Sequence, residues 1–160
     1  MKKLLIANRG EIALRIVRAA RDLEIGTVAV YSQDDVSALH RVLADEAVAL
    51  DGAGPAAYID IAGIIAAAKS TGCDAVHPGY GFLSERADFA QACEAAGIRF
   101  IGPAVEHLAI FGDKGRALEL AGQSDVPVMP ATHGGASLDD ITAFFDAQGS
   151  EEHTSELQSH

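Results

Sequence analysis

Tryptophan is absent, aromatic residues make up only 6% of the chain, and alanine and glycine dominate in their place. That disfavours an aromatic-rich sandwich and suits helices packed closely on a sheet. Cysteine occurs only at Cys73 and Cys93, which gives neither a disulfide framework nor a metal-ligand spacing. Cys93 falls on the apolar side of a helical pattern, so buried, reduced thiols in a cytoplasmic protein are expected. Lysine is confined to Lys2, Lys3, Lys69 and Lys114, and the formal net charge is −11. Phosphate neutralisation needs clustered Lys and Arg, so the charge argues against a nucleic-acid partner. Long apolar runs are missing as well. The run that follows Lys2-Lys3 stops at Asn8-Arg9-Gly10-Glu11, far short of an export signal, and no membrane span comes after it. With 160 residues the chain can bury its own core, as one domain or one domain plus part of another.

What is present alternates between strand and helix. Residues 3–7 form a short continuous apolar run, the pattern of a strand covered on both faces. Asn8 is placed to cap the helix that follows, with Glu11 completing a capping box. Ile12, Ile16, Ala19, Ala20 and Leu23 share the inward face of that helix, and Gly26 lies beyond its end. Arg15, Arg18, Arg21 and Asp22 take the other side, where Arg18 and Asp22 are i,i+4 neighbours. A second strand over 27–31 ends in Ser32-Gln33-Asp34-Asp35, and a short helix over 36–43 leads to a third strand at 47–50. After a loop rich in breakers at 51–55, Asp60 is expected to cap a helix with Ile61, Ile64, Ile65 and Ala68 inward and Gly72 past its end. Strand four is 74–77. Ser84 is expected to cap the next helix, with Phe89, Ala92, Cys93 and Ala96 inward and Gly97 closing it before 99–101. The connection rules turn this order into an α/β fold with a doubly wound parallel sheet.

Two stretches stand out for chemistry. His77-Pro78-Gly79-Tyr80-Gly81-Phe82-Leu83-Ser84-Glu85 leaves the C-terminal end of a buried strand, where ligands bind in open α/β sheets. Gly79 and Gly81 supply adaptable backbone on either side of Tyr80, so the loop reads as built to present a ring; the plainer reading is a strand-to-helix turn whose Tyr80 packs on a neighbour. After Gly102-Pro103 and a helical turn with Leu108 and Ile110, Asp113 is placed to cap a helix running to about Leu120. Lys114 then sits in its first turn, where the macrodipole disfavours a cation. A bound phosphate would explain it, and so would a lysine simply reaching solvent. Residues 126–130 read as a strand edge or extended link, and a helix follows from Ser137 or Leu138 to Ala147. The stretch 150–160 has no apolar period and matches the translation of a sequencing adapter. It is expected to be a non-native tail, leaving a reading frame cut short near Gly149.

In order and spacing, Ile6-Ala7-Asn8-Arg9-Gly10-Glu11-Ile12-Ala13, Leu43-Ala44-Asp45-Glu46-Ala47, the 77–85 loop, Phe100-Ile101-Gly102-Pro103 and Gly112-Asp113-Lys114 resemble the N-terminal part of biotin carboxylase. The resemblance implies a Rossmann-like pre-ATP-grasp domain at 1–111 and the start of an ATP-grasp region at 112–149. It also implies an ATP-dependent ligase that carboxylates biotin with bicarbonate through carboxyphosphate. ATP and Mg²⁺ are the implied cofactors and biotin the acceptor, with a biotin carboxyl carrier and a carboxyltransferase as partners. Lys114 matches a family lysine on ATP, Tyr80 and Gly81 the loop bordering the biotin pocket, and Arg18 and Asp22 the family's homodimer contact. No catalytic residue or metal ligand falls among the matched positions, so the chain alone is expected to be inactive.

The other class kept open is a noncatalytic nucleotide- or dinucleotide-binding module. The first strand-to-helix turn has one glycine where a pyrophosphate fingerprint needs a spaced set, but Asp34 or Asp35 could hold a ribose. A receiver-like phosphoacceptor domain using those acids is a third reading, weakened by Asn8 and Arg9 at the end of the first strand.

Overall fold

Strand β1 (Lys3–Ile6) is apolar after its first residue, and it takes the middle of the sheet, where both faces are covered. In the computed structural model, which describes residues 1–130, 132 and 135–148, it pairs in parallel with β2 (Gly26–Tyr31) on one side and β4 (Ala75–His77) on the other. Strand β3 (Glu46–Ala49) extends the β2 side and β5 (Arg99–Phe100) the β4 side, which gives the order β3-β2-β1-β4-β5. The chain therefore winds outward through β2 and β3, returns across β1 and continues through β4. The point where the winding reverses lies between β1 and β4.

The residue alternation of β1 assigns the two layers. Leu4 and Ile6 face helix α1 (Gly10–Asp22), against Ala13, Ile16, Val17 and Ala20. Leu5 and Ala7 face the opposite layer, where Val28, Val30, Ile64 and Phe89 pack with helices α4 (Ile61–Ser70) and α5 (Ala87–Ala95). Removing each such aliphatic side chain from water contributes about 1.5–3 kcal/mol before chain entropy is counted. Between the strands, α2 (Leu39–Leu43) and α3 (Gly54–Ala57) are short, and a 3₁₀ turn (Gln33–Asp35) precedes α2 where one helix over 36–43 was expected. After β5 comes α6 (Val105–Phe111).

The chain divides into two units, Met1–Gly112 and Asp113–His160. The second carries α7 (Lys114–Gln123) and α8 (Leu138–Gln148). Asp113 caps α7 as its local sequence requires, accepting from the Gly115 and Arg116 amides at 2.9 and 3.1 Å. Ser137 and Asp140 cap α8 reciprocally: the Ser137 amide and hydroxyl donate to the carboxylate, and the Asp140 amide donates to the hydroxyl. Residues 126–130 form no strand. The tail expected at 150–160 lies outside the described residues.

Three details of the sequence reading are corrected. Helix α1 begins after Arg9, not Asn8, and Ala19 and Leu23 on its expected inner face are exposed. Glu24, at φ 57°, takes the left-handed position after it, and Gly26 opens β2. Ser84 does not cap α5, which starts only at Ala87 after a turn in which the Ser84 amide donates to Gly81 O. Cys73 and Cys93 are buried and free, and burial pushes both thiols up, Cys93 to about 11. Among the described residues no helix is long and apolar enough to cross a membrane.

Candidate functional site

At the reversal point the C-terminal ends of β1 and β4 are bridged by one side chain. Asn8 is 2% exposed, and its amide nitrogen donates to Pro78 O at 2.6 Å and Tyr80 O at 2.9 Å. Its Oδ1 accepts from the Arg9 amide at 2.8 Å. The expected capping box is thus displaced, because the side chain is committed to a loop some seventy residues away rather than to its own helix. Below it, the Gly79 amide donates to His77 Nδ1 at 3.0 Å. With Nδ1 accepting, the neutral ring carries its proton on Nε2.

The far side of the loop is anchored in the core. Leu83 is fully buried, and Phe82 packs its ring on Tyr58 with centroids 5.4 Å apart. That contact accompanies a left-handed backbone at Phe82, φ 45°, a conformation that costs about 1–2 kcal/mol for a residue with a Cβ. Gly79 and Gly81 have φ of 69° and 66°, which glycine adopts freely. Between these fixed ends Tyr80 is 63% exposed, so its ring is not part of the core.

Beside the loop, three segments converge on Asp35. Its carboxylate is 8% exposed and accepts from Arg9 Nε and Nη2 at 2.6 and 2.5 Å, from the Tyr58 hydroxyl at 2.7 Å and from the Ser32 hydroxyl at 3.3 Å. The Arg9 hydrogen bonds outweigh desolvation and hold the carboxyl at about 2, while Arg9 is itself raised by the same pairing. Desolvation, then the Asp35 hydrogen bond, pushes the Tyr58 phenol up. Asp34 accepts from the Ser32 hydroxyl and the Gly54 amide. Both acids offered for a ribose are therefore hydrogen-bonded within the domain, and Asn8 bridges the two strand ends at the reversal point. Sequence reasoning missed the Arg9–Asp35–Tyr58 cluster, whose members lie on three separate elements.

The remaining expected residues fall in different places. Arg18 and Asp22 lie one turn apart on the exposed side of α1, without an ion pair between them among the described residues. Lys114 is exposed at the first position of α7 in the second unit. Because Asp113 already takes the Gly115 and Arg116 amides, an anion there would meet the ammonium rather than an open helix end. Among the described residues no three His, Cys, Asp or Glu side chains converge on a possible metal position.

His40 is 1% exposed, and neither ring nitrogen makes a well-formed hydrogen bond, the backbone of Val30 being the polar group it approaches. Burial lowers its pKa, partly opposed by the charge of Asp35, and burial alone lowers that of His77. Unfolding frees both rings to bind protons at about 6.5, so the unfolded chain takes up more protons there and stability falls as pH drops below that value. Thermal melts between pH 7.5 and 5 should give a falling Tm, and His40→Leu should shrink that fall while leaving the pH 7.5 value equal or higher. An unchanged slope in the variant would remove His40 as its source.

Fold and edge together define an open, doubly wound α/β domain of the Rossmann-like class, whose reversal point is bridged by the Asn8 side chain and whose loop presents an exposed ring. The family model for the N-terminal domain of biotin carboxylase matches residues 1–108. The pyruvate carboxylase of Staphylococcus aureus is 55% identical over 136 residues, 84% of this chain and 12% of that protein. Biotin carboxylase 1 of Bacillus subtilis is 51% identical over 138 residues, 84% of this chain and 30% of that protein. Among solved structures, the biotin carboxylase domain of a single-chain bacterial carboxylase superposes with a TM-score of 0.88 at 52% identity, over 93% of this chain and 34% of the other. The chain belongs to the biotin carboxylase N-terminal domain family and spans about a third or less of the length of these relatives.

Proposed function

We propose that this chain is the N-terminal part of an ATP-dependent biotin carboxylase, the ligase that carries bicarbonate carbon onto a biotin nitrogen. The observation that carries the reading is the fixed 77–85 loop, which holds Tyr80 exposed at the sheet edge in a chain matched to the family over 1–108. Tyr80 and Gly81 border the biotin pocket, the ring supplying a flat apolar wall and Gly81 leaving room beside it, since nothing lies within 4 Å of where its Cβ would be. Lys114 contacts ATP as a point charge. Arg18 and Asp22 lie at the contact of a homodimer. ATP, when bound with Mg²⁺, would supply the phosphoryl group that activates bicarbonate; the described residues offer no metal-ligating set.

A biotin carboxyl carrier and a carboxyltransferase are the partners that such a reaction requires, and the cytoplasm is its setting. Among the described residues no metal-ligating set is present, which supports the reading that the chain alone does not turn over. Two substitutions in a carboxylase beginning with this chain separate the roles. Lys114→Ala should raise KM for ATP roughly 10- to 100-fold whichever acceptor is used, the loss of a charge-assisted contact of about 1.5–3 kcal/mol. Tyr80→Ala should weaken use of free biotin and spare biotin-independent ATP cleavage. Equal losses in both half-reactions, with a lowered melting point, would contradict the assignment.

A further inference from the structure

The Tyr80 loop is not held by its glycines. Two bonds from one side chain tie it to β1's exit, Asn8 Nδ2 to Pro78 O and Tyr80 O, and a third, from the Gly79 amide to His77 Nδ1, braces it on the end of its own strand. Both acceptors of the Asn8 amide are backbone carbonyls flanking Gly79, and the amide sits so close that a Cβ on Gly79 would lie 2.7 Å from Nδ2. The two carbonyls converge on a donor that only an uncharged carboxamide at position 8 supplies; a carboxylate of the same shape would turn two attractions into two repulsions.

We propose that Asn8 and His77 are positioning residues that fix the orientation of Tyr80, and through it the fit of the acceptor ring in the pocket. Neither touches biotin. The inference rests on the reading of Tyr80 as a wall of the biotin pocket, and the two can fail separately. Because Asn8 bridges the strands on either side of the winding reversal, the loop is referenced to β1 rather than only to its own strand. A shift of β4 against β1 would therefore turn the ring.

The test uses an intact carboxylase beginning with this chain, with free biotin and ATP varied in turn. Asn8→Asp should raise KM for biotin roughly tenfold, as expected for lost bonds to two carbonyls, and leave KM for ATP unchanged. His77→Phe, which keeps the ring and removes the Nδ1 acceptor, should move the same parameter in the same direction. In Asn8→Asp/Tyr80→Ala the biotin defect should be no larger than in Tyr80→Ala alone, because Asn8 acts only through that ring. If Tyr80→Ala impairs biotin use while Asn8→Asp does not, or if the two defects multiply, the positioning role is overturned. If Tyr80→Ala leaves biotin use intact, the pocket reading fails instead. Should the variants not fold, the unsubstituted 160-residue chain decides by NMR. Slowly exchanging Asn8 carboxamide protons and a His77 ring protonated on Nε2 are expected; freely exchanging carboxamide protons or a ring protonated on Nδ1 would overturn the proposal.

Discussion

Arg9→Ala should lower the stability of the Met1–Gly112 unit by about 2–4 kcal/mol, read as a shift in the urea midpoint near neutral pH, because a largely buried carboxylate loses its charged partner. Arg9 is itself 39% exposed, so the Coulomb gain of the pair is partly screened and the cost lies mainly on the Asp35 side. What remains there, the Tyr58 and Ser32 hydroxyls, cannot neutralise the charge. Neutralising the acid should restore most of the loss, so Arg9→Ala/Asp35→Asn is expected to be more stable than Arg9→Ala alone.

The same pair sets an acid limb. With a folded pKa of about 2 against about 3.9 unfolded, Asp35 contributes stability that is present above about pH 4 and lost as pH falls toward 2, about 2.5 kcal/mol in all. Arg9→Ala should flatten that limb between pH 4 and 2. A variant with unchanged midpoint and unchanged acid limb would mean that the pair contributes nothing.

Gly79→Ala should cost about 2–5 kcal/mol, combining left-handed strain of about 1–2 with overlap of about 1–3. The added methyl would lie 2.7 Å from Asn8 Nδ2 and 3.1 Å from both Asn8 Cγ and Ile12 Cγ1. Asn8 is the group that must give, and it is pinned by three hydrogen bonds. Gly81→Ala is the internal control. Its φ of 66° nearly equals that of Gly79, yet nothing lies within 4 Å of its would-be Cβ. Only the strain should be felt there, about 1–2 kcal/mol. Equal destabilisation by the two substitutions in urea melts would show that the contact with Asn8 does not constrain the loop.

Local features were legible in the sequence, and features completed across the fold were not. Asp113 caps its helix as its neighbours require, since donor and acceptor lie within four residues. The alternation of strand and helix, and with it the doubly wound sheet, follows from periodicity and connection rules. Asn8 read as a cap for the same local reason and was wrong, because two carbonyls from β4's exit offered its amide a better use. Arg9, Asp35 and Tyr58 carry no mutual signal in the chain; they meet because β1, β2 and α3 end at the same edge. At the site, the loop and its exposed ring were readable from two glycines around a tyrosine. The clamp that holds it was not.

The central place of β1 has a temporal consequence. Leu4 aligns with Ala75, and the Lys2 and Lys3 amides donate to the Asp74 carboxylate, so β1 is completed by a segment made about seventy residues after it. At a synthesis rate of roughly 5–20 residues per second, that partner follows after about 4–14 s, during which β1 can pair only with β2. One side of an apolar strand stays open for that interval, the condition under which nascent chains are captured by holdases or by each other. Slow codons placed between β3 and β4 would lengthen this window, and recoding them to fast ones should raise the yield of folded chain at an unchanged amino-acid sequence.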